Sequence, residues 1–436
     1  MIKTVSIRNF KSYQDAKLKL ANLTVLIGAN ASGKSNALEA IRFLNWIAQG
    51  QKLSSLQYLV NDNDRVVRGK IEDLPRSGLK TFTLGCTVDG EEFKNLEVTL
   101  EVRREGELHI EYEGVYQVLE NGQRYYLYQT KGKSQGERTG INIEYNNFAR
   151  GGKKPQIAGT DQMGVFLQLL NSARFADGHK KTRRIIPKVA SVFENNLLNI
   201  VFLDPVPQKM RGYSYESDRE IFGDGSNLSS VLYHLWNADQ QEEENRKTIL
   251  QFISSLPEQN ISEITFIRGP RKEIMLQLKE TFGGKDQEYD ASLLSDGTLR
   301  VLAYAAVLLS APRGSMVIME EIDNGVHPSR AHQLLASMNK VARERDLTIL
   351  LSTHNPAMLD ALPNEAVPKV VFCYRDPKSG SSQLVRMEDL PDYPELIAQG
   401  SLGDLLTRGL IDRFVKQQDK GEEKKLKALE WLETIK

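Results

Sequence analysis

The chain has 436 residues, and its 57 lysines and arginines balance 57 aspartates and glutamates, so no global field advertises a nucleic acid, a membrane or an acidic partner, and any such partner must be met by a local patch. Cys86 and Cys373 are the only cysteines, which excludes a disulfide framework and a cysteine-rich metal site and fits a reducing, cytoplasmic compartment. The start MIKTVSIRNF has no signal-peptide core, and no apolar run approaches the roughly 20 residues that span a bilayer, so no membrane partner is expected.

The length is too great for one ordinary core and predicts several lobes or a large domain with insertions. Residues 1–50 read as strand, turn, strand, glycine loop and helix: KTVSIRN, NLTVLIG, GANASGKS and NALEAIRFLNWIA. This is the opening of an α/β sandwich. From 51 to 160 the texture changes to short alternating runs, KTFTLGCTV, NLEVTLEV, LHIEYEGVY and RYYLYQT, which predict an antiparallel β arm or subdomain. KGKSQGERTG and FARGGKKPQ within it read as loops. Residues 161–200 return to helical periodicity as a helical lobe. Residues 201–436 read as the strand NIVFLDP, helices over 226–258, a hairpin from ITFIRG and EIMLQLKE, and then the helix that opens in LSDGT. After it come the strand SMVIMEE, a helix, the strands LTILLSTH and KVVFCYR, and a charged helical tail. No internal repeat or sustained heptad is present.

Three short motifs carry chemistry. GANASGKS, Gly28 to Ser35, fits the G-x-x-x-x-G-K-[S/T] loop in its required context of strand before and helix after. Asn30, Ala31, Ser32 and Gly33, followed by Asn36, then line a phosphate site in which Lys34 neutralises the β and γ oxygens of ATP and Ser35 offers a hydroxyl to Mg²⁺. The strand SMVIMEE ends in Glu320 and Glu321, placed for Glu320 to orient Mg²⁺ and for Glu321 to polarise the attacking water. His354 ends the strand LTILLSTH and can donate to a γ-phosphate oxygen. The triplet Ser295, Asp296, Gly297 marks a helix start suited to an anion, yet no lysine follows it.

In this order, IRNFKSY, GANASGKSN, LSDGTLR, MEEIDNGVHP and STHNP resemble the ABC-type ATPases, within them the branch of RecF, SMC and OLD-like proteins. The resemblance implies a P-loop NTPase of the ABC/SMC-head type, α/β in class, with a β-rich and helical insertion between phosphate loop and signature motif. It implies that Ser295, Asp296 and Gly297 close over ATP held by a second copy, whose Lys34 supplies the missing cation. It also implies an ATP-dependent homodimer, with higher oligomers left open, and Arg8 and Lys11 approaching the ribose or α-phosphate. Asn324 and His327 fall in the dimer-crossing loop, and Gln162, Gln168 and Gln208 are three candidates for the glutamine that links Mg²⁺ to the moving lobe.

The departures narrow the branch. LSDGT replaces the LSGGQ of transporter ATPases, the insertion lacks SMC-type heptads, and 82 residues (436 − 354) follow His354, too few for the nuclease domain of OLD-like enzymes. The basic tracts FARGGKK (148–154), GHKKTRR (178–184) and IRGPRKE (267–273) could meet DNA or RNA phosphates or be solvated faces. The tail DKGEEKKLKALEWLETIK predicts a terminal helix packed on the body or a partner. Two function classes follow. One is an ATP-hydrolysing, dimerising switch that controls a separate effector in bacterial anti-phage defence, or alternatively handles DNA ends as RecF does. The other is a scaffold in which bound ATP is barely hydrolysed.

Overall fold

The computed structural model describes residues 1–56, 66–103, 106–132, 139–237, 242–254, 261–282, 285–324, 326, 328–390 and 393–416. The tail from 417 and His327 lie outside the described residues. Eighteen strands are described: β1 Ile2–Phe10, β2 Tyr13–Lys19, β3 Leu23–Ile27, β4 Thr81–Val88, β5 Asn95–Val102, β6 Leu108–Val118, β7 Arg124–Lys131, β8 Gly140–Tyr145, β9 Gln156–Thr160, β10 Ile200–Leu203, β11 Ser214–Tyr215, β12 Ile261–Gly269, β13 Glu273–Phe282, β14 Lys285–Asp290, β15 Met316–Met319, β16 Thr348–Ser352, β17 Val371–Arg375 and β18 Ser382–Arg386. The longer helices among the described residues, which cover the sheets, are α1 Lys34–Ala48, α2 Lys180–Leu198, α3 Leu228–Trp236, α4 Glu242–Ile253, α5 Asp296–Ser310 and α6 Ala331–Glu344. None of the described helices is long and apolar enough to cross a membrane.

Fourteen strands make one sheet in the order β10-β15-β16-β3-β17-β18-β2-β1-β4-β5-β6-β7-β8-β9. The first five are parallel. Their apolar runs without alternation follow from being covered on both faces. Successive side chains point to opposite sides, so Leu26, Ile318 and Leu350 join α1 and α2 in one core. Val25, Val317 and Ile349 join α3 to α6 in the other. A smaller sheet, β11-β13-β12 with β14 on β13, packs beside α3.

The antiparallel strands between 81 and 160 are not a detached arm. β1 pairs with β2 on one side and β4 on the other, with Val5 opposite Cys86, so β4–β9 extend the sheet that holds β3. The aromatic contacts Phe10–Phe82 and Phe43–Phe82, with centroids 5.3 and 5.9 Å apart, fasten α1 to this extension. The residues between 161 and 200 contribute a helical turn at Val165–Gln168 and the longer α2. Asn45 Nδ2 ties α1 to the end of α2 by donating to the Leu197 carbonyl at 2.7 Å.

Glu113 of β6 is fully buried and accepts hydrogen bonds from the backbone N–H groups of Val165 and Phe166, each at 2.7 Å, and from Tyr128 Oη at 2.8 Å. Burial outweighs these donors and pushes its carboxyl up to about 7 from 4.5. The folded chain therefore holds a proton that the unfolded chain releases between pH 4.5 and 7. Stability from this site falls as pH rises through that window. Urea unfolding is expected to give a higher midpoint at pH 5 than at pH 7.5, and Glu113→Gln to flatten the difference.

Candidate nucleotide-binding site

The parallel strands end in register. Leu203 lies opposite Met319, Met319 opposite Leu351, and Ser352 opposite Leu26. Asp204, Glu320, Thr353 and Gly28 therefore leave the sheet along one edge, the carboxyl edge at which open α/β sheets bind ligands.

From that edge the chain enters the loop Gly28–Ser35 and then α1. A Cβ at Gly28 would stand 2.1 Å from the Cys373 carbonyl oxygen, and one at Gly33 2.3 Å from Ser382 Oγ; the loop lies too close to β17 and β18 for any side chain at either point. Ala31 adopts φ 62°. The loop carbonyls are bound from behind: Ser382 Oγ donates to Ser32 O at 2.5 Å, Cys373 Sγ to the same oxygen at 3.4 Å, Tyr13 Oη to Gly33 O at 3.1 Å and Arg375 Nε to Ala31 O at 3.2 Å. Asn36 Nδ2 donates to Ser12 Oγ at 2.8 Å, and the Ser12 and Ser382 hydroxyls are hydrogen-bonded to each other at 2.8 Å. Ser12, Tyr13, Cys373, Arg375 and Ser382 are thus parts of the site that sequence motifs miss. Only strand pairing brings them together, and only Ser12 and Tyr13 have a sequence cue, their place in IRNFKSY.

Lys34 Nζ rests on the loop, donating to Gly28 O at 2.6 Å and Ala29 O at 3.1 Å. Burial lowers its ammonium below the usual lysine value, opposed by Cys373, Glu321 and Asp323. Glu320 sits 3.8 Å from Arg42 Nη2. Arg42 lies two turns beyond Ser35 on α1 and stacks at 4.4 Å over Phe202, so Glu320 borders the face of α1 that carries Ser35. Burial raises the Glu320 carboxyl, with Arg42 opposing and Asp204 adding to the rise. Glu321 is exposed and holds φ 49°. Ser352 Oγ accepts from its backbone N–H at 3.1 Å, and Asn324 Nδ2 donates to its Oε2 at 2.9 Å. A bulky residue in that conformation is strained and is held there by its surroundings. Thr353 Oγ1 donates to Asp323 Oδ1 at 2.7 Å, and His354 Nδ1 lies 3.6 Å from Asp323 Oδ2.

The signature residues lie at the start of α5. Ser295 caps α5, its Oγ accepting from Thr298 N at 3.1 Å. Ser295 and Asp296 are exposed, with Gly297 half-buried. No hydrogen bond or ion pair among the described residues joins Ser295, Asp296 or Gly297 to residues 28–36. Arg211 Nη2 donates to Asp296 Oδ1 at 2.7 Å and Leu294 O at 2.9 Å.

Arg8 is taken up by Glu97 of β5 at 2.5 Å, because the strand after β1 in the sheet is β4 and the next is β5. Lys11 binds Glu39 of α1 and the Arg68 carbonyl, and Arg68 binds Glu39 in turn. It is Ser12, next to Lys11, that reaches the loop. Gln162 bonds Leu108 O and His109, and Gln168 bonds Thr160 O and Met163 O; both side chains serve the insertion. Gln208 follows β10 in the helical turn Pro207–Met210 and is exposed. Two basic tracts meet, since Thr182 Oγ1 donates to Asn146 O at 2.8 Å and Lys181 Nζ lies 4.5 Å from the Phe148 ring centroid. The third, 267–273, occupies the β12–β13 turn.

The family model described as "AAA domain, putative AbiEii toxin, Type IV TA system" matches residues 23–360. The chain is similar to an ATP/GTP phosphatase of Helicobacter pylori, 22% identical over 369 residues, 83% of this chain and 87% of that protein. It is also similar to the DNA replication and repair protein RecF of Nostoc punctiforme, 31% identical over 90 residues, 20% of this chain and 24% of that one. Among solved structures, an SMC head bound to the C-terminal winged-helix domain of ScpA aligns over 88% of this chain and 96% of its own, at 15% identity and a TM-score of 0.48.

Replacing Gly28 by Ala drives a methyl group into the backbone of β17, which cannot give way without moving the sheet. Gly28→Ala is expected to weaken binding of a fluorescent ATP analogue by at least about tenfold, measured by titration.

Proposed function

This chain belongs to that AAA-domain family and is an ATPase; we propose that it works as a cytoplasmic, dimerising switch in which two copies enclose two ATP molecules. One observation carries the reading. Glu320, Glu321, His354 and the loop Gly28–Ser35 share one sheet edge, while the capped helix start at Ser295 is exposed and, among the described residues, makes no hydrogen bond or ion pair to that loop. A second copy would bring it to the phosphates.

In this reading the N–H groups of residues 30–36 cradle the phosphates and Lys34 leaves its loop carbonyls for their oxygens. Ser35 and Glu320 would hold Mg²⁺, a hard cation suited to a hydroxyl and a carboxylate. When bound, it neutralises charge on the phosphate oxygens. Glu321 positions and polarises the attacking water; its strained backbone, held by Ser352 and Asn324, fixes the carboxylate before the substrate arrives. With His354 Nδ1 facing Asp323 Oδ2 at 3.6 Å, Nε2 can donate to a γ-phosphate oxygen when both ring nitrogens carry protons. Ser295 and Gly297, with the Asp296 backbone, grip that phosphate from the partner. The family description supports an output in a toxin or defence system in which the closed dimer holds or releases a separate effector. A RecF-like role in DNA repair rests on a match to a fifth of the chain. A scaffold without turnover leaves Glu321 and His354 without a task.

Purified protein is expected to release phosphate from ATP at a rate that Lys34→Ala abolishes. Glu321→Gln should cut turnover by roughly 10² to 10⁴ while accumulating an ATP-bound dimer in light scattering. Equal phosphate release by wild type and Lys34→Ala would end the enzyme mechanism.

The convergence of two basic tracts favours nucleic acid as a further partner of the switch. Arg150, Lys153, Lys180, Lys181 and Arg184 are exposed on two adjoining segments, and clustered cations gain affinity for phosphates by releasing counter-ions. Reversing Lys180, Lys181 and Arg184 to Glu should weaken duplex DNA binding and lower its salt slope by about one per residue. Absence of binding by the parent protein at low salt rules the surface out.

A further inference from the structure

Asp296 sits badly with an anion. The start of α5 offers N–H groups without intrahelical partners and the positive end of the helix dipole, both suited to a phosphate. Yet its first residue is an aspartate whose side chain is 56% exposed, and a carboxylate there repels any phosphate brought to the same N–H groups. Ser295 Oγ is engaged by Thr298, accepting from its N–H at 3.1 Å and lying 2.7 Å from its Oγ1. The cation in reach is Arg211, whose Nη2 bonds Asp296 Oδ1 at 2.7 Å and Leu294 O at 2.9 Å. The guanidinium therefore spans the loop on either side of Ser295.

We infer that Arg211 is a positioning residue that makes an aspartate-bearing signature loop able to accept a phosphate. It neutralises the Asp296 carboxylate and fixes the loop through the Leu294 carbonyl. The N–H groups of Asp296 and Gly297 then remain for the anion. The segment that carries Arg211 begins at Asp204, whose charge acts on Glu320. It crosses the turn Pro207–Met210, anchored by buried Met210, and reaches Arg211 seven residues on (211 − 204). The loop that would face the partner's nucleotide is thereby tied to the sheet edge of its own.

This inference rests on the proposed closure of two copies, and its test separates the two. In a Glu321→Gln background with ATP and Mg²⁺, the dimer dissociation constant is measured by analytical ultracentrifugation. Arg211→Ala is expected to raise it by at least about tenfold, while binding of a fluorescent ATP analogue to the monomer stays unchanged. Arg211→Lys should fall between, because a lysine keeps the charge and loses the paired geometry. Asp296→Asn added to Arg211→Ala should restore dimerisation to within about threefold of the Glu321→Gln parent, since no carboxylate remains to be neutralised. A purely structural pin through Leu294 O predicts no such rescue, and failure of the rescue overturns the assignment. So does an Arg211→Ala protein that dimerises as its parent does. A Glu321→Gln parent that remains monomeric with ATP overturns the closure and Arg211's role together.

Discussion

The site depends on where the carbonyl groups of residues 31–33 are bound. In a curled loop the peptide N–H and C=O groups point in opposed directions, so N–H groups can face a phosphate only if the carbonyls find donors on the other side. Here those donors are Tyr13, Cys373, Arg375 and Ser382. They come from β17, β18 and β2, the three strands that follow β3 in the sheet, rather than from the loop's own neighbourhood in sequence. The two glycines complete the arrangement by letting β17 and β18 approach within the radius of a methyl group.

Much of the parallel half of the fold was legible because covered strands write their burial as unbroken apolar runs. LTVLI, MVIM and TILLS stand out for that reason, and the places of GANASGKS, Glu320, Glu321 and His354 just beyond those strands were legible with them. The antiparallel half was legible in its strands but not in its attachment. Alternation announces β4 to β7, yet nothing in KTVSIRN says that its second edge receives β4 across more than seventy residues. β2 was hidden in an apparent turn because YQDAKLK buries only three residues of seven. Arg8 and Lys11 illustrate the same limit: motif position suggested the nucleotide, while register delivers them to Glu97 and Glu39. The loop's supporting shell was beyond sequence reasoning, since serine, tyrosine and cysteine at such spacings are ordinary anywhere.

Charge at the sheet edge is balanced by opposed pressures. Burial weakens the ammonium of Lys34 and the carboxylate of Glu320, and each is countered by neighbours of opposite sign, Glu321 and Asp323 for the one, Arg42 for the other. Such a cluster holds its charges at a cost that falls when a phosphate and a cation enter together, since each supplies the partner that the other lacks. The exposed Glu321, its backbone N–H held by Ser352 Oγ in a left-handed conformation, belongs to this balance through its pull on Lys34.

The wedging of β3 between β16 and β17 has a consequence for the chain as it is made. The loop is made well before the strands that flank β3 and before three of the four residues whose side chains bind its carbonyls, Cys373, Arg375 and Ser382, all of which lie between residues 348 and 382. At 5–20 residues per second, on the order of tens of seconds pass between the two. Throughout that interval the nascent chain carries the motif without most of the donors that shape it, so nucleotide can contribute to folding only once β16 to β18 have been made.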